Sequence, residues 1–353
     1  MKEYFEQSGR GLNRSQVEMV KRLNLQSGFL NGILSELQNP HTDIWLGIRN
    51  GYFNLYVEGA SLGKVSLDKE SINIHKKYLG SNVSGYKNLS LFDSEYKFKQ
   101  IAENIKKFHL QSSQKYLEKK FQQKLVMSNN FAASPWYCVD MEYVMKRQNN
   151  SEMDCGRADI IAISRRPLID NKFQILMIEL KIGSGSFGES SGICEHFADF
   201  VKYNADKNYD CGDGYKGRFT RLRGEVVNIL RNYKALGLLP ENMNSTVADI
   251  KIDDIYNEPQ MVFLIYSKDF TKVEIKRSFC RYVGGKAFCN LGTESEYSIV
   301  KKWDEVFVER IFNENIKCVF REGKDTNAIK DRQPLFEDEN ISEAEQIFKD
   351  KIY

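Results

Sequence analysis

The sequence predicts an α/β (α+β) protein in two successive parts, a helix with a small antiparallel β-meander and then a larger set of strands and helices. Three observations lead there. Apolar residues recur at helical spacing from Asn13 to Gln38, then switch to a period of two from Asp43 onward. Asn50-Gly51 sits between two alternating runs, Ile44 to Arg49 and Tyr52 to Val57, a strong hairpin signal. Farther on, Phe173 to Ile182 is apolar on both faces until its last turn, as expected of a central strand covered on both sides.

Composition bounds the class. A chain of 353 residues, 41% hydrophobic and 28% charged, has material for two globular domains. The net charge of +3 does not announce nucleic acid, so any basic footprint has to be local. Seven cysteines, odd in number and without C-x-x-C spacing, argue against zinc, an iron–sulfur cluster or a disulfide framework and favour a reducing compartment. Met1 to Glu6 has no apolar leader, and no run approaches the ~20 apolar residues of a membrane span. A cytoplasmic protein with no membrane partner is the expectation.

Taken in order, Ser15 and Glu18 are spaced as a capping box for a helix over 13–38, whose stripe of Val17, Val20, Leu23, Ile33, Leu34 and Leu37 weakens around Gly28. Asn39-Pro40 stops it. The hairpin calls for a type I′ turn, with further strands at Lys64 to Leu67 and Ser71 to His75. Its Tyr, Trp and Arg residues permit a nucleic-acid surface, but packing of the rings against a neighbouring helix explains them better. Asp93 and Ser94 open a helix with Phe98, Ile101, Ala102, Ile105 and Phe108 on one face, and a second helix spans Ser112 to Met127. Core strands are expected at Tyr137 to Val144, Gly156 to Ile163, Phe173 to Ile182 and Gln260 to Tyr266. Beyond Lys276 the signals weaken to short helices near Trp303 to Ile311 and after Ser342. The resulting plan is an N-terminal helix and meander module over 1–92, a main domain over 93–276 and a C-terminal extension over 277–353.

The chemistry concentrates on three side chains. Asp159 lies near the start of one strand, Glu179 and Lys181 at the end of the next. Strand alternation puts Glu179 and Lys181 on one face and Leu180 on the other. If the loop Arg165 to Phe173 closes an antiparallel hairpin in which Ser164 faces Gln174, then Asp159 falls opposite Glu179, with Cβ atoms roughly 5 Å apart. Two carboxylates that close repel, and a divalent cation between them removes the repulsion. Oxygen donors with room for water and phosphate suit Mg²⁺, with Mn²⁺ as a substitute.

Asp159, nineteen intervening residues and then Glu179-Leu180-Lys181 resemble the PD-(D/E)XK, or restriction-endonuclease-like, nuclease superfamily. Ala158 stands where the family has proline. The resemblance covers Phe98 to Lys268, about half the chain. It implies a mixed central sheet flanked by helices and a metal-dependent nuclease hydrolysing phosphodiester bonds of nucleic acid, with DNA favoured over RNA. Mg²⁺ would be held by Asp159, Glu179 and the Leu180 carbonyl, with Lys181 beside it. Roles in restriction, repair and phage defence are all within the superfamily. An acid on the preceding helix is a further family mark, best matched by Glu118, with Glu142 on the first core strand as a second candidate. The following helix carries His196 at the family's Gln position and Phe200 at its aromatic one, which leaves open whether His196 contacts substrate. A cut across both strands would favour a homodimer.

Each of these residues has a plainer reading. Glu118, among Lys115, Lys119 and Lys120, also reads as a solvated ion-pair partner. Arg218, Arg221 and Arg223, in the basic stretch from Tyr215 to Lys234, suit either phosphate contact or a solvated helix face. Gly183 to Gly192 lacks Walker spacing and reads as a loop at the rim of the site. Asp159, Glu179 and Lys181 alone would make an ion cluster closing a sheet end, although two acids against one lysine is an unbalanced set. From another class, the alternative is a catalytically silent nucleic-acid-binding or assembly protein on the same scaffold.

Overall fold

A computed structural model describes residues 9–81, 83–93, 95–110, 117–131, 134–146, 154–182, 196, 215–240, 243, 249–267 and 316–322. Two compact units emerge. Residues 1–133, 221–254 and 331–333 form the first, and residues 134–220, 255–330 and 334–353 the second. The chain thus leaves the first unit, builds strands of the second, and returns.

The first unit opens with α1 (Arg14–Leu25) and α2 (Ile33–Gln38). The single helix expected here is broken at Gly28, where the Leu91 carbonyl comes so close that a Cβ would stand 2.6 Å from its oxygen. The cap also differs from expectation. Asn13 accepts from the Gln16 N–H while the Gln16 side chain accepts from the Asn13 N–H, and Ser15 donates to Asn13 Oδ1 (2.7 Å).

Five strands follow, β1 (Ile44–Ile48), β2 (Tyr52–Val57), β3 (Ala60–Ser66), β4 (Ser71–His75) and β5 (Tyr86–Ser90), each antiparallel to the next in chain order. The period of two is visible in burial: Phe53, Leu55, Val65, Ile72, Ile74 and Leu89 fill one face. The hairpin turn is not type I′, since Gly51 (φ 68°) has a positive φ and Asn50 does not. Gly11 explains the difference: its N–H donates to Arg49 O and its carbonyl accepts from Gly51 N–H, both at 3.0 Å, so an entering segment sets the turn.

α3 (Phe98–Leu110) buries Phe98, Ile101, Ala102 and Ile105, as the spacing predicts, but starts later than Asp93, whose side chain accepts from Glu95 N–H in a local turn (2.8 Å). α4 (Leu117–Phe131) and α5 (Arg218–Ala235) follow, with residues 221–235 of α5 in this unit. Asn232 clasps the N-terminal segment: its Oδ1 accepts from Leu12 N–H (2.8 Å) and its Nδ2 donates to Leu12 O (2.9 Å), all buried. Tyr233 donates to Leu46 O (2.7 Å). Asn232→Leu strands both Leu12 groups, each costing about 1–3 kcal/mol when buried unsatisfied. Urea unfolding should therefore show a loss of about 2–5 kcal/mol.

His109 is buried in the same unit. Desolvation, with Lys77 and Lys120 adding, holds its imidazole below the usual histidine range against a smaller opposing pull from Glu58. The folded state therefore keeps a neutral ring that the unfolded chain protonates near its ordinary pKa of about 6.5. Stability carried by this ring is present above that value and lost as pH falls below it. Thermal melting should drop between pH 7.5 and 5.5, less steeply in His109→Gln.

The second unit is a five-stranded mixed sheet of β6 (Trp136–Lys146), β7 (Asp154–Ser164), β8 (Ile175–Ile182), β9 (Gln260–Ser267) and β10 (Ile316–Glu322), in the order β10-β9-β8-β7-β6. β7 runs antiparallel to both of its neighbours, β6 and β8, whereas β8, β9 and β10 are parallel. β8 is the middle strand, and Ile175 through Lys181 are buried without exception. β10 lies where the sequence carries no strand signal, and the helices expected near Trp303 to Ile311 and after Ser342 lie outside the described residues. Among the described residues no helix is long and apolar enough to cross a membrane.

Candidate active site

The β7–β8 hairpin positions the acids. Ser164 N–H donates to Gln174 O (2.9 Å), and the register continues through Ile163↔Ile175 to Ile160↔Ile178. One step farther the same count sets Asp159 level with Glu179, the arrangement expected if Ser164 faces Gln174. The backbone ladder ends there: Leu180 N–H donates to Asp159 Oδ2 (2.7 Å). On β6, Met141 pairs with Ile160 and Tyr143 with Ala158, so Glu142 lies level with Asp159 on the other side. Three carboxylate residues, Glu142, Asp159 and Glu179, therefore stand in one row across three strands.

Their environments differ. Asp159 is half-buried, while Glu179 and Lys181 are 3% and 4% exposed. Lys181 Nζ donates to Glu179 Oε1 (2.7 Å), which verifies the shared face, and His196 Nε2 reaches the same oxygen at 2.8 Å. Burial alone would push the Glu179 carboxyl up. The hydrogen bond from His196 and the charge of Lys181 outweigh it and hold the carboxyl below the usual carboxylate range. Glu179 is thus an anion in a nearly dry site, and a buried anion needs positive charge close by.

His196 was anticipated by position alone, and the structure makes it a partner of Glu179. Nothing in the sequence signals that contact beyond its place after the lysine. Glu142 has φ 52°, left-handed backbone inside a strand, which costs a residue with a Cβ about 1–2 kcal/mol. Such strain collects at functional positions. No sequence signal marks it.

Glu118 is exposed in the first turn of α4, in the first unit. Arg221 is buried, its Nε donating to Glu225 Oε1 (3.0 Å), and Arg218 and Arg223 are half-buried. Gly183 to Gly192 and Phe200 lie outside the described residues.

Oxygen donors dominate the row. Among the described residues no group of three or more His, Cys, Asp and Glu side chains is gathered closely enough to hold a metal ion. Two carboxylates with a carbonyl still suit Mg²⁺, which keeps several waters and is commonly bound through one or two carboxylates. The comparisons with known proteins add no relative: no family model, curated protein or solved structure matches the chain.

Proposed function

We propose that the second unit hydrolyses phosphodiester bonds of nucleic acid in a Mg²⁺-dependent reaction, as the resemblance of Asp159 and Glu179-Leu180-Lys181 to PD-(D/E)XK nucleases implies. The observation that carries the reading is the register of β7 and β8, which brings Asp159 level with Glu179 while Lys181 touches Glu179. Asp159, Glu179 and the Leu180 carbonyl would hold the cation, with Glu142 rather than Glu118 as the additional acid, because Glu142 shares the sheet. When bound, Mg²⁺ lowers the pKa of a coordinated water and offsets charge developing on the phosphate.

The chain's own residues supply the rest. Lys181 places a compact positive charge where the attacking water and the developing phosphate anion must both be steadied. His196, hydrogen-bonded to Glu179, fixes that carboxylate's rotamer and is a positioning residue. DNA is the first substrate to test, and the restriction-endonuclease-like arrangement is the fold this reading requires.

A second reading rests on one observation. Lys181 and His196 both occupy Glu179 Oε1, as they would in an ion cluster that closes a sheet end. A silent nucleic-acid-binding or assembly protein would keep that cluster and cut nothing. Duplex DNA, single-stranded DNA and RNA should be incubated with the purified chain in Mg²⁺, in Mn²⁺ and in EDTA. Cleavage in either metal, absent in EDTA and in Asp159→Ala, is expected. Intact substrates in every metal would favour the silent scaffold.

A further inference from the structure

A second site lies in the first unit, where the N-terminal segment and the β1–β2 turn meet α5. A cavity of about 270 Å³ opens there, at the lower end of the range for small-ligand sites. One molecule takes about 30 Å³ in liquid water, so the hollow is several times larger than hydrating a single polar group requires. Among the described residues its polar side chains are five amides and one carboxylate.

Three of the amides are spent on holding the wall. Asn13 Oδ1 accepts from Gln16 N–H (2.9 Å), and Gln16 Nε2 donates to Gly51 O (3.1 Å) and to Asp68 Oδ1 (2.9 Å). Asn232 is occupied by its clasp on Leu12. The other two amides are left over. Asn228 is only 8% exposed on α5, yet its amide has no hydrogen-bond partner among the described residues, and neither has that of Asn50 at the turn. Native folds leave few buried amides unpaired. Asp68 also keeps an oxygen in hand, since the Gln16 bond goes to Oδ1 and leaves Oδ2. Gly11 lets α5 bring Asn228 flush with the wall: a Cβ on residue 11 would stand 3.3 Å from Asn228 Cβ.

These three groups select a ligand. An amide offers both donors and an acceptor, whereas a carboxylate only accepts. An anion would meet the charge of Asp68. An ammonium would serve the oxygens but, having no acceptor, would leave both amide nitrogens unpaired. A hydroxyl satisfies all of them, donating to oxygen and accepting from nitrogen. We infer that this cavity binds a small uncharged polyhydroxylated molecule, a monosaccharide or an open-chain polyol, whose neighbouring hydroxyls are shared among Asp68, Asn50 and Asn228. The lining residues all belong to the first unit, so the site stands independently of the hydrolase reading.

The test titrates glucose, galactose, mannose, ribose and the open-chain sorbitol, one at a time, into the full chain by calorimetry, with methylammonium and inorganic phosphate beside them. At least one polyhydroxylated compound should bind. Binding of a sugar without sorbitol identifies the ring form as the ligand, and binding of sorbitol identifies the open chain. Asp68→Asn keeps the oxygen that Gln16 uses and should bind at least about tenfold more weakly, the scale of a hydrogen bond to a charged group. Asn228→Leu replaces an unpaired buried amide by an apolar side chain, so binding should be lost while the urea midpoint holds or rises. An amide kept only for structure would give the reverse, a lower midpoint with binding retained. No binding of any of the five, affinity unchanged in both variants, or methylammonium or phosphate binding more tightly than every polyhydroxylated compound would overturn the proposal.

Discussion

Lys181→Ala is expected to lower the cleavage rate about 10²–10³-fold, the cost of removing one preorganised charge-stabilising group. The side chain is buried against Glu179, so a purely structural role would show as lost stability instead. Removing it leaves Glu179 still hydrogen-bonded to His196. Folding should therefore survive, and Mn²⁺ affinity should be unchanged or higher, because the carboxylate has one fewer cation competing for it. Single-turnover kinetics beside urea unfolding separate the two roles. A variant that cuts at the parental rate would contradict the mechanism, as would one whose activity falls only in proportion to its folded fraction.

The second large effect concerns folding. Glu225 is 2% exposed on α5, where Arg221 Nε donates to its Oε1 (3.0 Å) and Arg10 Nε lies 3.9 Å from its Oε2. Glu225→Ala deprives two buried guanidinium groups of their carboxylate, and breaking a buried pair in this way costs about 3–5 kcal/mol. The double variant Arg221→Met with Glu225→Leu should recover part of that loss, since apolar replacements of similar volume remove the desolvation penalty along with the pair. Urea midpoints measure both. Arg221 was one of three arginines proposed for phosphate contact, and its position predicts that Arg221→Ala acts on stability more than on nucleic-acid affinity.

Short-range patterns in the sequence read through well. The period of two gives the meander, and the apolar run ending in Glu179 and Lys181 gives a buried middle strand. The hairpin register follows from Ser164 facing Gln174, because a one-residue slip would turn every side chain to the other face. Errors fall where distant segments intervene. Gly11 resets the Asn50-Gly51 turn, and Leu91 breaks the first helix at Gly28, whereas the cap is a local exception, taken by Asn13 with Gln16 where Ser15 and Glu18 also fit. The placement of α5 depends on Asn232 meeting Leu12 across most of the chain, which no local pattern encodes. In the candidate site, Asp159, Glu179 and Lys181 were legible through strand alternation, whereas the His196 contact and the left-handed backbone of Glu142 arise from tertiary packing.

The central claim is that Asp159 and Glu179 share one divalent cation. Crystals grown with Mn²⁺ would answer it through the anomalous difference map. The account predicts a peak with carboxylate oxygens of both residues about 2.1 Å away, the spacing of a small octahedral cation. A map without a peak there, with Glu179 still held by Lys181 and His196, would contradict it.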